Sequence, residues 1–98
     1  MIIIYSTFFN KKEAKKIVGE LLKKKLVKCV NLFPIESVYY WKQKVNQGKE
    51  VAAIIKTEKK NFRKIEKFLL ENHSYSEPCI IEIPIGRVTE KYLNWIKK

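Results

Sequence analysis

The distribution of apolar residues along the chain predicts four β-strands. Ile2 to Phe8 is a short run rich in β-branched residues, which is typical of a buried strand. Glu50 to Lys56 and Cys79 to Ile85 predict two further strands. The longest run, Val27 to Trp41, is β-branched and aromatic and contains no glycine. At about 3.3 Å per residue, this run would span about 50 Å as a single strand.

Segments with a helical period lie between the strands. Asn10 predicts an N-cap, and Glu13 occupies the position of a capping-box acid. The apolar stripe that follows has helical spacing and consists of Ala14, Ile17, Val18, Leu21 and Leu22. Gly19 within this helix predicts close packing on the sheet. A second helix is predicted from about Lys59 to Asn72, and Thr89 predicts the cap of a short C-terminal helix.

The order of these elements is strand, helix, strand, strand, helix, strand and terminal helix. It predicts a ferredoxin-like βαββαβ fold of the α+β class with a C-terminal helix, in one domain covering residues 1–98. The four strands would form an antiparallel sheet with two helices on one face. Gln43 to Lys49 is predicted as the turn between the second and third strands, with Gly48 supplying positive φ.

The long second strand carries a prediction about assembly. A strand of this length must extend past the rest of so small a sheet, and its unpaired backbone groups would recruit another strand. Pro34 cannot donate a ladder hydrogen bond, so a bend or bulge is expected there, with the strand at or near a sheet edge. We therefore expect the chain to work as an oligomer.

Charge and composition narrow the class of protein. The chain of 98 residues has a formal net charge of +11, and all but Arg63 and Arg87 of its 21 basic residues are lysines. Because these lysines are spread along the sequence, we interpret them as a solvated surface and expect no nucleic-acid partner. The chain lacks an apolar run long enough to span a membrane and a basic leader, so a cytoplasmic location is expected. Cys29 and Cys79 are expected to be free thiols.

The sequence lacks the motifs of enzymes. It has no glycine-rich phosphate loop, no aspartate and a single histidine, so no catalytic site is predicted. The soft ligands Cys29, Cys79 and Met1, together with the imidazole of His73, suit Cu(I) or Zn(II), although no closely spaced cysteine pair exists. Each residue also has a plain structural interpretation: the cysteines as small buried side chains and His73 as a helix C-terminal cap. The aromatic residues fit either interface packing or a ligand cavity anchored by Lys56.

An ordered set of motifs resembles the CutA family of divalent-cation tolerance proteins. The matching segments are Lys28-Cys29-Val30-Asn31, Ser37-Val38-Tyr39-Tyr40-Trp41, Glu50-Val51 with Lys56-Thr57, His73-x-Tyr75-x-x-Pro78-x-Ile80 and Tyr92-Leu93-x-Trp95. The resemblance covers nearly the whole chain. It implies a cytoplasmic homotrimer, similar in architecture to PII-type signalling proteins, in which the long hairpin reaches neighbouring subunits.

The resemblance also implies site residues. The family is linked to tolerance of copper and other divalent ions, which makes Cys29 a copper contact and places His73 near a cleft between subunits. The cleft residues it implies are Tyr39, Trp41, Lys56, Tyr75, Cys79 and Tyr92. Cys79 stands where the family motif has a glutamate. This change would favour softer ions or remove a carboxylate that pairs with Lys56.

The predicted function is therefore non-enzymatic. We predict a homotrimeric metal-binding protein of divalent-cation tolerance, with copper at Cys29 and His73 and other divalent cations left open. One alternative is a PII-like sensor that binds a small molecule or a protein partner through the aromatic cleft and Lys56. Another is an assembly protein whose trimer is mainly a structural scaffold.

Overall fold

The predicted order of elements is confirmed by a computed structural model covering residues 1–98. The elements are β1 (Ile2–Phe8), α1 (Lys11–Lys23), β2 (Cys29–Trp41), β3 (Lys44–Thr57), a 3₁₀ turn (Lys59–Asn61), α2 (Phe62–Asn72), β4 (Ile80–Pro84) and α3 (Glu90–Lys97). The four strands form one sheet in the order β2-β3-β1-β4, and every neighbouring pair is antiparallel. This is the predicted ferredoxin-like α+β arrangement.

The core lies between the sheet and the helices α1 and α2. Ile4, Phe8 and Ile55 point from the central strands towards Leu21 of α1 and Ile65 of α2, and all five are fully buried. The alternation within each strand turns the residues between these, such as Ile3 and Tyr5 of β1, to the opposite face of the sheet. On this open face, Ile81 and Ile83 of β4 are 50% and 41% exposed.

The N-terminus of α1 is capped as the sequence predicts. The Asn10 side chain accepts a hydrogen bond of 2.9 Å from the Glu13 N–H, and the Glu13 carboxylate accepts one of 3.3 Å from the Phe9 N–H. The first bond satisfies a donor that the helix itself leaves free, and the second ties the residue before the N-cap to the first turn. The helix direction away from β1 is thus set by local chemistry.

The predicted turn between β2 and β3 is wrong. The chain reverses at Lys42 and Gln43, which have φ of 51° and 62°, and β3 already begins at Lys44. Positive φ at both central residues is the conformation of a two-residue hairpin turn. The Asn46 side chain stabilises the turn from outside it, because its amide donates hydrogen bonds of 3.0 Å to the Trp41 carbonyl and 3.1 Å to the Lys44 carbonyl.

Two smaller expectations about the hairpin are also wrong. Gly48 lies inside β3 opposite Ser37 and has no positive φ. The β2–β3 register runs without a bulge through Pro34, which pairs with Val51. Since β2 is an edge strand, as predicted, every second N–H points away from its only neighbour and Pro34 fits there.

The hairpin extends well past the rest of the sheet. β1 ends with Phe8 opposite Val51, whereas β2 and β3 continue to pair for seven more rows, from Ile35–Glu50 to Trp41–Lys44. At about 3.3 Å per row, these residues form an arm about 23 Å long. We call Ile35–Trp41 together with Lys44–Glu50 the arm.

Gly19 does not serve close packing on the sheet, contrary to the sequence prediction. A Cβ added to Gly19 would meet no heavy atom within 4 Å outside its own helix and chain neighbours.

We therefore expect Gly19→Ala to stabilise the fold by about 1 kcal/mol, since alanine loses less backbone entropy in a helix. Equilibrium unfolding in guanidinium chloride measures this change. A destabilised Gly19→Ala would show that another surface packs closely against this position.

Candidate functional site

The predicted site residues fall into three groups along the long strands. The first group, Cys29, Lys56 and Tyr92, lies at the end of the sheet beside α3. Cys29 and Lys56 are directly opposite in the β2–β3 ladder, so their side chains share one face. The Lys56 Nζ is 5.5 Å from the centroid of the Tyr92 ring, a cation–π contact between β3 and α3. Cys29 is half-buried and its thiol is free.

His73 belongs to a second group, at the other end of β1. It is the C-cap of α2, as the plain structural interpretation predicts, and its N–H donates to the Leu69 carbonyl. Its ring stacks on Phe8 with centroids 5.0 Å apart. The ring nitrogen Nε2 is 2.7 Å from the Thr7 carbonyl, which can only accept, and Nδ1 accepts a bond of 3.0 Å from the Tyr75 N–H. These partners assign a neutral ring with its proton on Nε2, and both nitrogens are engaged.

Tyr75 ties this group to the base of the arm through Glu50. The Tyr75 hydroxyl donates a hydrogen bond of 2.6 Å to Glu50 Oε2, and the Ser37 hydroxyl donates one of 2.5 Å to Oε1. No lysine, arginine or histidine nitrogen lies within 4.0 Å of this carboxylate. Two neutral O–H donors thus stabilise the charge of Glu50, and their hydrogen bonds have the short lengths typical of an ionised acceptor. We call Ser37, Glu50 and Tyr75 the arm-base network.

Sequence reasoning missed Glu50 as a site residue. Glu50 is paired with Ile35, so Ser37 is its diagonal neighbour in the ladder and lies within reach of its side chain. Predicting the network requires the correct hairpin register. A turn placed at Gln43 to Lys49 does not bring Ser37 opposite the strand that holds Glu50, so the contact between them could not be predicted.

Burial and the nearby Glu50 carboxylate raise the pKa of two groups, the Tyr75 hydroxyl and the Cys79 thiol. Burial, followed by the hydrogen bond to Glu50 and its negative charge, raises the pKa of the Tyr75 hydroxyl far above its usual range. Burial, followed by the charge of Glu50, raises the pKa of the Cys79 thiol. Both groups therefore stay protonated at neutral pH, and Tyr75 remains a hydrogen-bond donor.

Position 79 is remote from Lys56 within one subunit. Ser6 pairs with Ile80, which puts Cys79 beside the Thr7 row, whereas Lys56 lies in the Ile3 row. Four rows correspond to about 13 Å. The expectation that a carboxylate at position 79 would pair with Lys56 does not fit this geometry.

The third group, Tyr39 and Trp41, lies at the tip of the arm. They pair with Asn46 and Lys44 and are 50% and 56% exposed. Tyr39 lies four rows, about 13 Å, beyond Glu50. A single subunit therefore does not bring the predicted cleft residues into one cavity.

Metal ligands are equally dispersed within one chain. No group of three or more histidine, cysteine, aspartate or glutamate side chains could hold an ion. Cys29 lies opposite Lys56, in the Ile3 row, whereas the His73 ring is bonded to Thr7, four rows away. Cys29 and His73 of the same subunit therefore do not share a coordination shell.

Comparison with known proteins identifies a family. The model of the CutA1 divalent ion tolerance protein family matches residues 2–98. The divalent-cation tolerance protein CutA of Archaeoglobus fulgidus is 42% identical over 93 residues, covering 95% of this chain and 91% of the relative. Rice Protein CutA 1, described as chloroplastic, is 39% identical over 97 residues. The match covers 98% of this chain and 55% of the rice protein.

The fold is shared with solved structures. The structure from Archaeoglobus fulgidus, described as a periplasmic divalent cation tolerance protein CutA, superimposes with a TM-score of 0.96 at 41% identity, covering 99% of this chain and 96% of that one. CutA1 from Pyrococcus horikoshii superimposes with a TM-score of 0.95 at 38% identity, covering 99% and 95%.

The raised pKa of Cys79 leads to a prediction about its reactivity. In a Cys29→Ser background, alkylation of Cys79 by iodoacetamide should have its pH midpoint above that of an ordinary cysteine, because the thiolate is the nucleophile. Adding Glu50→Gln should lower the midpoint only in part, since burial is the larger cause. Glu36→Gln, which removes an exposed arm carboxylate, is the matched control and should leave it unchanged. A midpoint at or below the ordinary value would contradict the arrangement of Cys79 and Glu50.

Proposed function

This chain belongs to the CutA family of divalent-cation tolerance proteins, and from that premise we propose that it is a homotrimeric metal-binding protein whose ion is copper. The observation that carries the proposal is the family match over residues 2–98. We expect no catalytic activity, because the single histidine has both ring nitrogens engaged and the sequence has no aspartate.

Self-association is supported by two exposed surfaces. The arm has no neighbouring strand beyond Phe8, and its edge offers free backbone groups along β2. The open face of the sheet exposes Ile81 and Ile83, an apolar surface that a monomer would leave in water. The proposed number of three subunits rests on the resemblance to the family.

Copper binding is supported by the chemistry and position of Cys29. A thiolate is a preferred ligand of Cu(I), and Cys29 is a free, half-buried thiol on the edge strand, where a second subunit can approach. His73 could join it only from another subunit, and only by giving up the hydrogen bond from the Tyr75 N–H or its own bond to the Thr7 carbonyl. We therefore propose Cys29 as the principal contact and His73 as a secondary one.

A sensor of the PII type is the second candidate function. In its favour, the Lys56 ammonium lies over the Tyr92 ring and could meet an anionic ligand on the open side of the sheet. The aromatic side chains of the arm tip, Tyr39 and Trp41, would have to come from a neighbouring subunit to close such a cleft. The two functions thus depend on the same assembly.

The cytoplasmic location is also a proposal. Two free cysteines support a reducing compartment. The names of two relatives point elsewhere, to the periplasm and the chloroplast. No helix of the structure is long and apolar enough to cross a membrane.

Assembly should be visible by sedimentation. We expect the wild type at micromolar concentration to sediment at three times the 11.7 kDa chain mass. Ile81→Glu with Ile83→Glu should shift the protein towards monomer, because it places charges on the open face. Leu70→Glu, a similarly exposed apolar residue on the helix side, is the matched control and should stay trimeric. A folded single-copy wild type would contradict the proposal.

Copper binding should depend on Cys29 more than on the other thiol. In an anaerobic Cu(I) titration against a competing chelator, Cys29→Ala should lose at least roughly tenfold in affinity, since a thiolate ligand is removed. Cys79→Ala should bind within about twofold of wild type. Equal affinities for wild type and Cys29→Ala would remove Cys29 from the site, and binding of copper by none of the three would overturn the choice of metal.

A further inference from the structure

The positive charge is concentrated on the helix side of the molecule. The segment from Lys11 to Lys25 holds seven lysines and two glutamates, and Glu58 to Asn72 holds five basic and three acidic residues. All twelve basic residues are exposed: Lys11, Lys12, Lys15, Lys16, Lys23, Lys24, Lys25, Lys59, Lys60, Arg63, Lys64 and Lys67. The lysines that are dispersed along the sequence are thus gathered on one layer of the fold.

Few of these charges are neutralised within the chain. Only three ion pairs form, Lys23 with Glu20, Lys60 with Glu58, and Arg63 with Glu66. The other nine basic side chains of the layer have no carboxylate oxygen within 4.0 Å. Repulsion among unpaired like charges is relieved when a polyanion binds.

The lysines follow the outer ridges of both helices. On α1, Lys12, Lys16 and Lys23 recur with helical spacing on the side opposite the buried residues, over about 16 Å of helix. On α2, Lys64 and Lys67 occupy the corresponding ridge. The two helices lie side by side across a groove of about 340 Å³, whose lining includes Lys12 and Lys16 as well as Glu13, Glu20 and Phe68. We call the exposed lysines of α1 and α2 the lysine surface.

The residue types on the lysine surface decide which polyanion it can bind and through which groups. Phe62 and Phe68, the aromatic residues of the two helices, are partly buried. The Arg63 guanidinium lies over the first ring and the Lys24 ammonium over the second, which leaves neither free for an unpaired base to stack on. Arg63, the single arginine on the helix side of the molecule, is engaged with Glu66, so no free guanidinium is available for reading guanine. The surface therefore offers only ammonium groups, which contact phosphates and do not read bases. A duplex presents one phosphate charge per roughly 1.7 Å of its axis, about ten along the length of the α1 ridge.

From these observations we propose that the lysine surface binds double-stranded nucleic acid through its phosphates, without sequence preference. The proposal departs from the sequence prediction, which rested on dispersed lysines. It is independent of metal binding and of the arm. Because the open face of the sheet is the one opposite the helices, self-association through that face leaves the lysine surface accessible.

The test compares two variants of equal net charge. The first, Lys12→Gln with Lys16→Gln, Lys64→Gln and Lys67→Gln, removes four charges from the lysine surface. The matched control removes four exposed basic residues outside both the lysine surface and the arm, by Arg87→Gln, Lys91→Gln, Lys97→Gln and Lys98→Gln. Glutamine has nearly the helix propensity of lysine, so the helices are retained, and circular dichroism checks this.

Binding is followed by fluorescence anisotropy of a labelled duplex of about 20 base pairs over a range of salt concentrations. Wild type should bind two duplexes of unrelated sequence equally, with log affinity falling linearly with log salt. The surface variant should bind at least roughly tenfold more weakly at about 100 mM salt, with a slope shallower by about three to four. The control variant should stay within about threefold of wild type.

Three outcomes would overturn the proposal. One is no saturable binding by wild type at about 50 mM salt. Another is an equal loss in both variants, which would assign binding to net charge rather than to the lysine surface. The third is binding to phosphatidylserine vesicles with none to the duplex, which would make the partner an anionic membrane.

Discussion

The continuous antiparallel ladder between β2 and β3 is the constraint on which the rest of the structure depends. It joins thirteen pairs of residues, from Cys29–Lys56 to Trp41–Lys44, without a bulge. β1 is seven residues long and pairs with β3 only as far as Phe8 and Val51. The ladder beyond that row has no third strand, so it must protrude as an arm. The lengths of the strands thus create a long edge whose backbone groups have no partner within the chain.

A single carboxylate holds the base of this arm to the body of the subunit. Glu50 accepts short hydrogen bonds from Ser37 on the facing strand and from Tyr75 in the loop after α2. His73 clamps the same loop to the end of β1 through the Thr7 carbonyl. Hydrogen bonds to a charged group stabilise by about 1.5–3 kcal/mol each, more than neutral ones. The histidine and tyrosine of the family motif therefore have a structural role whether or not they meet a ligand.

The two faces of the sheet have opposite chemistry, and the reason is topological. Both crossover helices lie on one face, where they cover the core with their apolar stripes and turn their lysines outward. The other face receives no helix from the two crossovers and exposes isoleucines such as Ile81 and Ile83. A single chain is therefore apolar on one face of the sheet and cationic on the side of the helices.

The sequence by itself determined the elements and the fold class, because these depend on local periodicity and capping. β1 spans Ile2–Phe8 as predicted, and Asn10 and Glu13 cap α1 through bonds between residues close in sequence. The hairpin turn was misplaced since a glycine signal at Gly48 competes with an amide, Asn46, that acts from beyond the turn. Only the tertiary structure decided the register, and with it the Glu50 network and the four rows that separate Cys29 from His73. Such distances are set by strand pairing between remote segments, which no local pattern encodes.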